Sequence, residues 1–220
     1  MELYDRNESW PIVETTMLAR GRVENFVEHR IKMPDGEQIT RQYATHPGAV
    51  AIIACDDQER IAVVYQYRHP VGARLVEPPA GLLDHDEESW LEAAQRELAE
   101  EARLKANDWH VLIDYYTSPG GLEESVRVFL ARDLSPTPRP EGFIVEAEEI
   151  DMGLEWMPIE EAVEGIYAGR IQNPSMVSGT LALAHALHSG RIDQLRPADS
   201  PWPARDMWEE RQPLHHKSGQ

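Results

Sequence analysis

Between Arg96 and Leu104 the chain reads "RELAEEARL", an arginine and three glutamates within six residues. On a helix, Glu97 and Glu101 stand one turn apart and stack along one flank, while Glu100 points further out. Like charges at that spacing repel by a few tenths of a kcal/mol, so helix stability alone gives no reason for the pair. One explanation is a solvated acidic face, with Arg96 at i,i+4 to Glu92 and Glu100. The other is a divalent-cation site, because magnesium takes hard oxygen ligands and completes its shell with water and substrate phosphates. The preceding "EPPAGLLD" favours the second: Pro78, Pro79 and Gly81 make a stiff turn able to aim a backbone carbonyl at the same point.

The elements that must position these residues follow from patterning. Leu91, Ala94, Leu98 and Ala102 fall on one stripe of a helix from about Ser89 to Leu104. Upstream, Leu18 to His46 is rich in β-formers and broken at "MPDGEQ", which reads as an antiparallel strand pair around a tight turn. "GAVAIIAC" and "IAVVYQYR" are apolar runs separated by "DDQER", which reads as a second hairpin buried on both faces. Strands are expected at about Trp109 to Tyr116, Glu124 to Asp133 and Leu154 to Met157. Two helices follow, "IEEAVEGIYAG" and Pro174 to Ser189, the latter with Asn173 as N-cap and Pro174 at its first position. From Arg196 the chain is Pro-rich and polar, a tail that either wraps the body or is disordered. The expected class is α+β in a layered αβα sandwich, divided into residues 1–47 (β-rich), 48–195 (catalytic) and 196–220 (tail).

Composition narrows the partners. The 220 residues carry a net charge of −18, which argues against nucleic acid or an anionic membrane surface. An anionic ligand would need local cations. The single Cys55 cannot form an intramolecular disulfide, and no apolar run approaches the roughly 18 residues of a bilayer span. The expectation is a soluble, cytoplasmic protein.

Gly81, Glu88 and "RELAEEARL" together closely resemble the Nudix box: Gly, five residues, Glu, seven residues, Arg-Glu, an aliphatic residue, any residue, Glu-Glu, any residue, Gly, an aliphatic residue. Two departures stand out. Six residues separate Gly81 from Glu88, and Arg103 replaces the last glycine. A left-handed helix end at Arg103 would cost about 1 kcal/mol more than at glycine. The resemblance extends from about Leu18 to Ser189 and is strongest to ADP-ribose pyrophosphatases, particularly actinobacterial ones, through "HPGAVAII", "QYRHP", "SPGGLEE" and "NPSMVSGTLALAHAL".

The resemblance implies a Nudix fold with an N-terminal antiparallel extension and homodimers in which that extension crosses to the partner. It implies magnesium, with manganese as the alternative, bound by Glu97, Glu101 and the Ala80 carbonyl, with Glu100 assisting directly or through water. Gly81 and Leu82 would flank the substrate. Arg96 would pair with carboxylates such as Glu88. A loop glutamate would act on the attacking water: "VEAEEIDMGLEW" offers Glu146, Glu148 and Glu149, with Glu148 favoured and Glu149 next. Arg41 and Arg68 would meet the diphosphate or the nucleoside end, and Glu124 the terminal ribose or the metal region. The implied reaction is hydrolysis of ADP-ribose to AMP and ribose 5-phosphate. The alternatives are another nucleoside diphosphate derivative such as a nucleotide sugar, or a nucleotide sensor that does not cleave. The sensor would be expected to lose box carboxylates, and Glu97, Glu100 and Glu101 are all present. Trp10, Trp202, His215 and His216 receive no role.

Overall fold

In the computed structural model, which describes residues 3–85, 88–140 and 153–216, the N-terminal segment forms an antiparallel sheet of three strands. These are β1 (Ile12–Arg20), β2 (Asn25–Lys32) and β3 (Gln38–Ala44). The pair read from sequence is β2 and β3, joined where Met33 N–H donates to Glu37 O at 2.8 Å and Gly36 takes φ 92°. The added strand β1 starts at Ile12 and is mostly exposed, so it lacks the alternation that marks β2, where Val27 and His29 are buried. This sheet belongs to a first unit with the loop 116–125 and the chain from Pro201 onward. There the tail is ordered as helix α4 (Pro203–His216).

The second unit, residues 49–115 and 126–200, carries two further sheets. One has the order β10-β5-β6, from β5 (Arg60–Arg68), β6 (Ala73–Glu77) and β10 (Gly153–Pro158). The other has the order β11-β8-β9-β4-β7. Its members are β4 (Ala49–Ala54), β7 (Ala80–Leu82), β8 (Leu104–Tyr116), β9 (Ser125–Pro136) and β11 (Arg196–Pro197). The expected second hairpin is therefore corrected. Although Asp56 N–H donates to Arg60 O across a turn, β4 pairs with β9 in parallel and with β7, while β5 pairs with β10 and β6. A single bridge, Cys55 to Ile61, joins the two runs. Apolar runs such as β4 and residues 61–64 of β5 can each face a separate partner layer, and the chain uses the turn to change sheets.

Ile53, Val63, Val128, Leu112 and Leu130 fill the core together with Ala162, Met176 and Leu183 from α2 (Ile159–Tyr167) and α3 (Pro174–His188). Asn173 caps α3, its side chain accepting from Met176 N–H at 2.9 Å. Gly179 lets α3 come close, since a Cβ there would stand 2.8 Å from Ile53 Cγ1.

Helix α1 (Trp90–Ala102) opens with a reciprocal capping box between Ser89 and Glu92. It buries Ala93, Ala94, Leu98 and Ala102, while Leu91 of the expected stripe is only half-buried. It ends at Arg103 in the left-handed conformation, φ 53°, with the cap N–H turned back to Ala99 O and Leu98 O. The geometry a glycine would take is thus kept, with a Cβ to strain it. Arg103→Gly should raise unfolding free energy by about 1 kcal/mol, read as a higher urea midpoint at unchanged slope. A lowered midpoint would show that the Arg103 side chain contributes more than its backbone costs.

Candidate active site

The loop before α1 is aimed from behind. Glu77, at the end of β6, is 2% exposed, and the Arg68 guanidinium grips it through Nε at 3.0 Å and Nη2 at 2.6 Å. A carboxylate buried so deeply needs such a charge-assisted fork. The pair holds the chain just ahead of Pro78 and Pro79. From there Pro79 O accepts from Ile52 N–H, and Ala80 and Gly81 pair with Ala51 and Val50 of β4. The proline-stiffened turn is therefore tied to the most buried strand of the sheet.

Against this turn α1 brings its carboxylates. Glu101 Oε2 accepts the Ala80 N–H at 3.0 Å. Glu97 lies so close to Gly81 that a Cβ there would fall within its carboxylate and 2.6 Å from its Cγ. Arg96 organises the rest. It donates twice to Glu88, at 2.9 and 3.0 Å, and through Nη1 to Glu97 at 2.6 Å and Glu100 at 3.1 Å. The hydrogen bonds to Glu88 are the foremost reason that the guanidinium is held charged well above its ordinary range. Glu88 thus reaches Arg96 despite its longer spacing from Gly81.

Ala80, Gly81, Glu97, Glu100 and Glu101 thus share one place, with Leu82 half-buried beside them on β7. Among the described residues no three acidic, histidine or cysteine side chains already converge to enclose an ion. Arg96 stands between Glu97 and Glu100 instead. The donor set still suits a hard cation: carboxylate oxygens, at least one beside a glycine cradle, next to a main-chain turn. A cation held by Glu97 would have to share Oε1 with Arg96.

Arg41 and Glu124 belong to the first unit. Glu124 accepts from Thr117 Oγ1 at 2.7 Å and faces His46 Nε2 at 3.5 Å. The loop carrying it is fixed to β3, as Ala44 N–H donates to Gly121 O and Glu123 N–H to Ala44 O. The neighbouring Glu123, which the sequence did not single out, accepts from His46 N–H at 3.2 Å. Burial pushes its carboxyl up to about 7, against the His46 hydrogen bond and the Arg211 charge. Arg41 is exposed, donates to Thr40 O, and lines a cavity of about 530 Å³ with Tyr43, Tyr116, Glu123 and Arg211. Glu146, Glu148 and Glu149 lie outside the described residues.

The NUDIX domain model matches residues 45–176, more than half of the chain, and includes Ala80, Gly81 and the carboxylates of α1. The chain belongs to the Nudix family. It is 44% identical over 190 residues to the ADP-ribose pyrophosphatase of Mycobacterium tuberculosis (strain ATCC 25618 / H37Rv), covering 86% of this chain and 89% of that protein. It is 40% identical over 115 residues to the ADP-ribose pyrophosphatase of Bacillus subtilis (strain 168), covering 52% and 62%. With the GDP-mannose pyrophosphatase of Cronobacter sakazakii it shares 30% over 177 residues, 76% of this chain and 88% of that one. A crystal structure of an ADP compounds hydrolase superposes with TM-score 0.67 at 22% identity, over 86% of this chain and 100% of that one, which supports the Nudix fold.

Gly81→Ala should leave far-UV circular dichroism unchanged while displacing the Glu97 carboxylate and cutting hydrolysis by at least about tenfold; full activity would mean that Glu97 can stand elsewhere. For Glu123, the folded state holds the proton more tightly than the unfolded one. Its contribution to stability is therefore full below about 4.5 and is lost as pH rises through about 7. Glu123→Gln should gain stability over the parent between pH 5 and pH 8, by up to roughly 3 kcal/mol, in thermal melts across that range. A pH-independent difference would contradict the burial.

Proposed function

We propose that this Nudix hydrolase cleaves the diphosphate of ADP-ribose to give AMP and ribose 5-phosphate. The observation that carries the reading is the cradle at Gly81, into which α1 presses Glu97 while Glu101 is bonded to the Ala80 N–H. The similarity to two ADP-ribose pyrophosphatases supports the substrate. The similarity to a GDP-mannose pyrophosphatase favours a nucleotide sugar as the second reading, since the box sets the chemistry and leaves the remote half of the substrate open.

Glu97 and Glu101, with the Ala80 carbonyl and Glu100 in support, are the residues we assign to a divalent cation, magnesium first and manganese as the alternative. When bound, that cation supplies positive charge to the bridging diphosphate and makes water a better nucleophile. The chain's own residues do the rest. Arg96 keeps the glutamates aligned and limits their mutual repulsion. Glu77 and Arg68 set the height of the turn, and the exposed edge of the Arg68 guanidinium remains our candidate for meeting a phosphate oxygen. Arg41 and Glu124 are assigned to the nucleoside and ribose ends. Glu148, or failing it Glu149, takes the proton from the attacking water as its oxygen bonds to one phosphorus and the bridging oxygen leaves with the other.

We assign the N-terminal sheet to homodimer formation and divide the chain into residues 1–47, 48–195 and 196–220. The assigned compartment is the cytoplasm. Among the described residues no helix is long and apolar enough to cross a membrane, and the lone Cys55 is buried.

Glu97→Gln and Glu101→Gln should each lower AMP release from ADP-ribose by several orders of magnitude while the protein melts as a folded species. Undiminished turnover in both would remove the cation from this site. Glu148→Gln and Glu149→Gln, assayed separately, should give one large loss; two small ones would place the base elsewhere.

A further inference from the structure

The tail of the chain is fastened to the backbone of His46 and Pro47. In the first unit, α4 is anchored where Trp208 Nε1–H donates to His46 O at 2.7 Å, and the Arg205 guanidinium covers the Trp208 ring at 3.7 Å while bonding Pro47 O. One turn further on, Arg211 stands on the same helix face. Both Trp208 and Arg211 line the cavity that also holds Arg41, Tyr43 and Tyr116. The Nε–H of Arg211 is buried and has no hydrogen-bond partner among the described residues. A guanidinium N–H shielded from water calls for an acceptor, and a chain of net charge −18 has gathered Arg6, Arg41 and Arg211 around this one space. Of the acids beside them, Glu8 is already engaged by Arg6 at 3.0 Å and by Trp10 at 2.8 Å, and Glu123, which feels the Arg211 charge, accepts the His46 N–H at 3.2 Å. Gly120 and Gly121 also line the cavity, and a Cβ added at either would meet nothing within 4 Å, so the backbone lies open to a ligand.

Cations and flat rings in one cavity of about 530 Å³ suit a molecule that joins a phosphate to a planar base. We propose that α4 completes a nucleoside phosphate site in the first unit, with Arg211 holding the phosphate and Trp208 forming the apolar wall for the base. The ligand is either the nucleotide part of the substrate or a separate nucleotide; the chemistry of recognition is the same. Hydrolysis of ADP-ribose supplies the choice of probe, but binding is read without turnover.

The test is calorimetric titration of the full-length chain with AMP and with adenosine, without divalent cations, for the parent, Arg211→Ala, Trp208→Ala and Trp208→Phe. The parent should bind AMP more tightly than adenosine. Arg211→Ala should erase that preference with a loss of about tenfold or more for AMP. Trp208→Ala should weaken both ligands, and Trp208→Phe, which keeps a ring but no N–H, should retain more affinity than Trp208→Ala. Absence of AMP binding by the parent, or unchanged AMP affinity in both Arg211→Ala and Trp208→Ala, would overturn the proposal. Kinetics then separate the two sources. A KM for ADP-ribose that rises in parallel with the AMP dissociation constant identifies a substrate site. An unchanged KM, with the effect of added AMP on turnover lost, identifies an effector site. Failure of ADP-ribose hydrolysis alongside Arg211-dependent AMP binding would refute the proposed reaction and leave this site standing.

Discussion

Carboxylates gathered on three turns of helix repel one another, and the Arg96 guanidinium is what lets them coexist. It sits one quarter exposed amid Glu88, Glu97 and Glu100, and spends its donors on all three. Its fork on Glu88 also closes the acidic loop back onto α1. Without that cation the loop would lose its tether and the glutamates would splay. The Gly81 approach of Glu97 and the Ala80 bond to Glu101 both depend on this restraint, because each needs the helix held at one height against the turn.

The turn has its own support, built by the same logic. Glu77 is only 2% exposed and is paired with Arg68, so the chain enters Pro78 from a fixed point. The prolines then restrict the backbone, and β4, buried along nearly its whole length, takes up the pairing of Ala80 and Gly81. A hydrophobic sheet thus positions a polar site through two ion pairs and one stiff turn. The precision a cation site needs comes from the elements behind the ligands as much as from the ligands.

Most of this was readable from residue types and spacing. Helix α1 carries its own start signal, Ser89 with Glu92, and a clear apolar stripe, and the box residues sit on it at fixed spacing. What was not readable has physical reasons. Strand β1 is mostly exposed and owes its place to pairing with β2, which leaves no apolar alternation to detect. The run of β4 is apolar throughout and β5 opens with an apolar run at residues 61–64, so they report burial without reporting which sheet each joins. Helix α4 is polar and proline-bearing, and what fixes it is a ring N–H on His46 O and a guanidinium on Pro47 O, contacts that lie 162 and 158 residues apart in the chain. Glu123 and Glu124 are adjacent acids that sequence cannot rank. Only the fold places one beside Thr117 and buries the other against the His46 backbone.

The family fixes the chemistry, and the substrate is the claim most open to direct measurement. Purified protein should be incubated with ADP-ribose, GDP-mannose and other nucleoside diphosphate derivatives, with and without magnesium, and the phosphate products resolved by phosphorus NMR. The account predicts AMP and ribose 5-phosphate, formed fastest from ADP-ribose and only when the cation is present. Equal release without a divalent cation, or binding of the nucleotides with no cleavage of any of them, would contradict it.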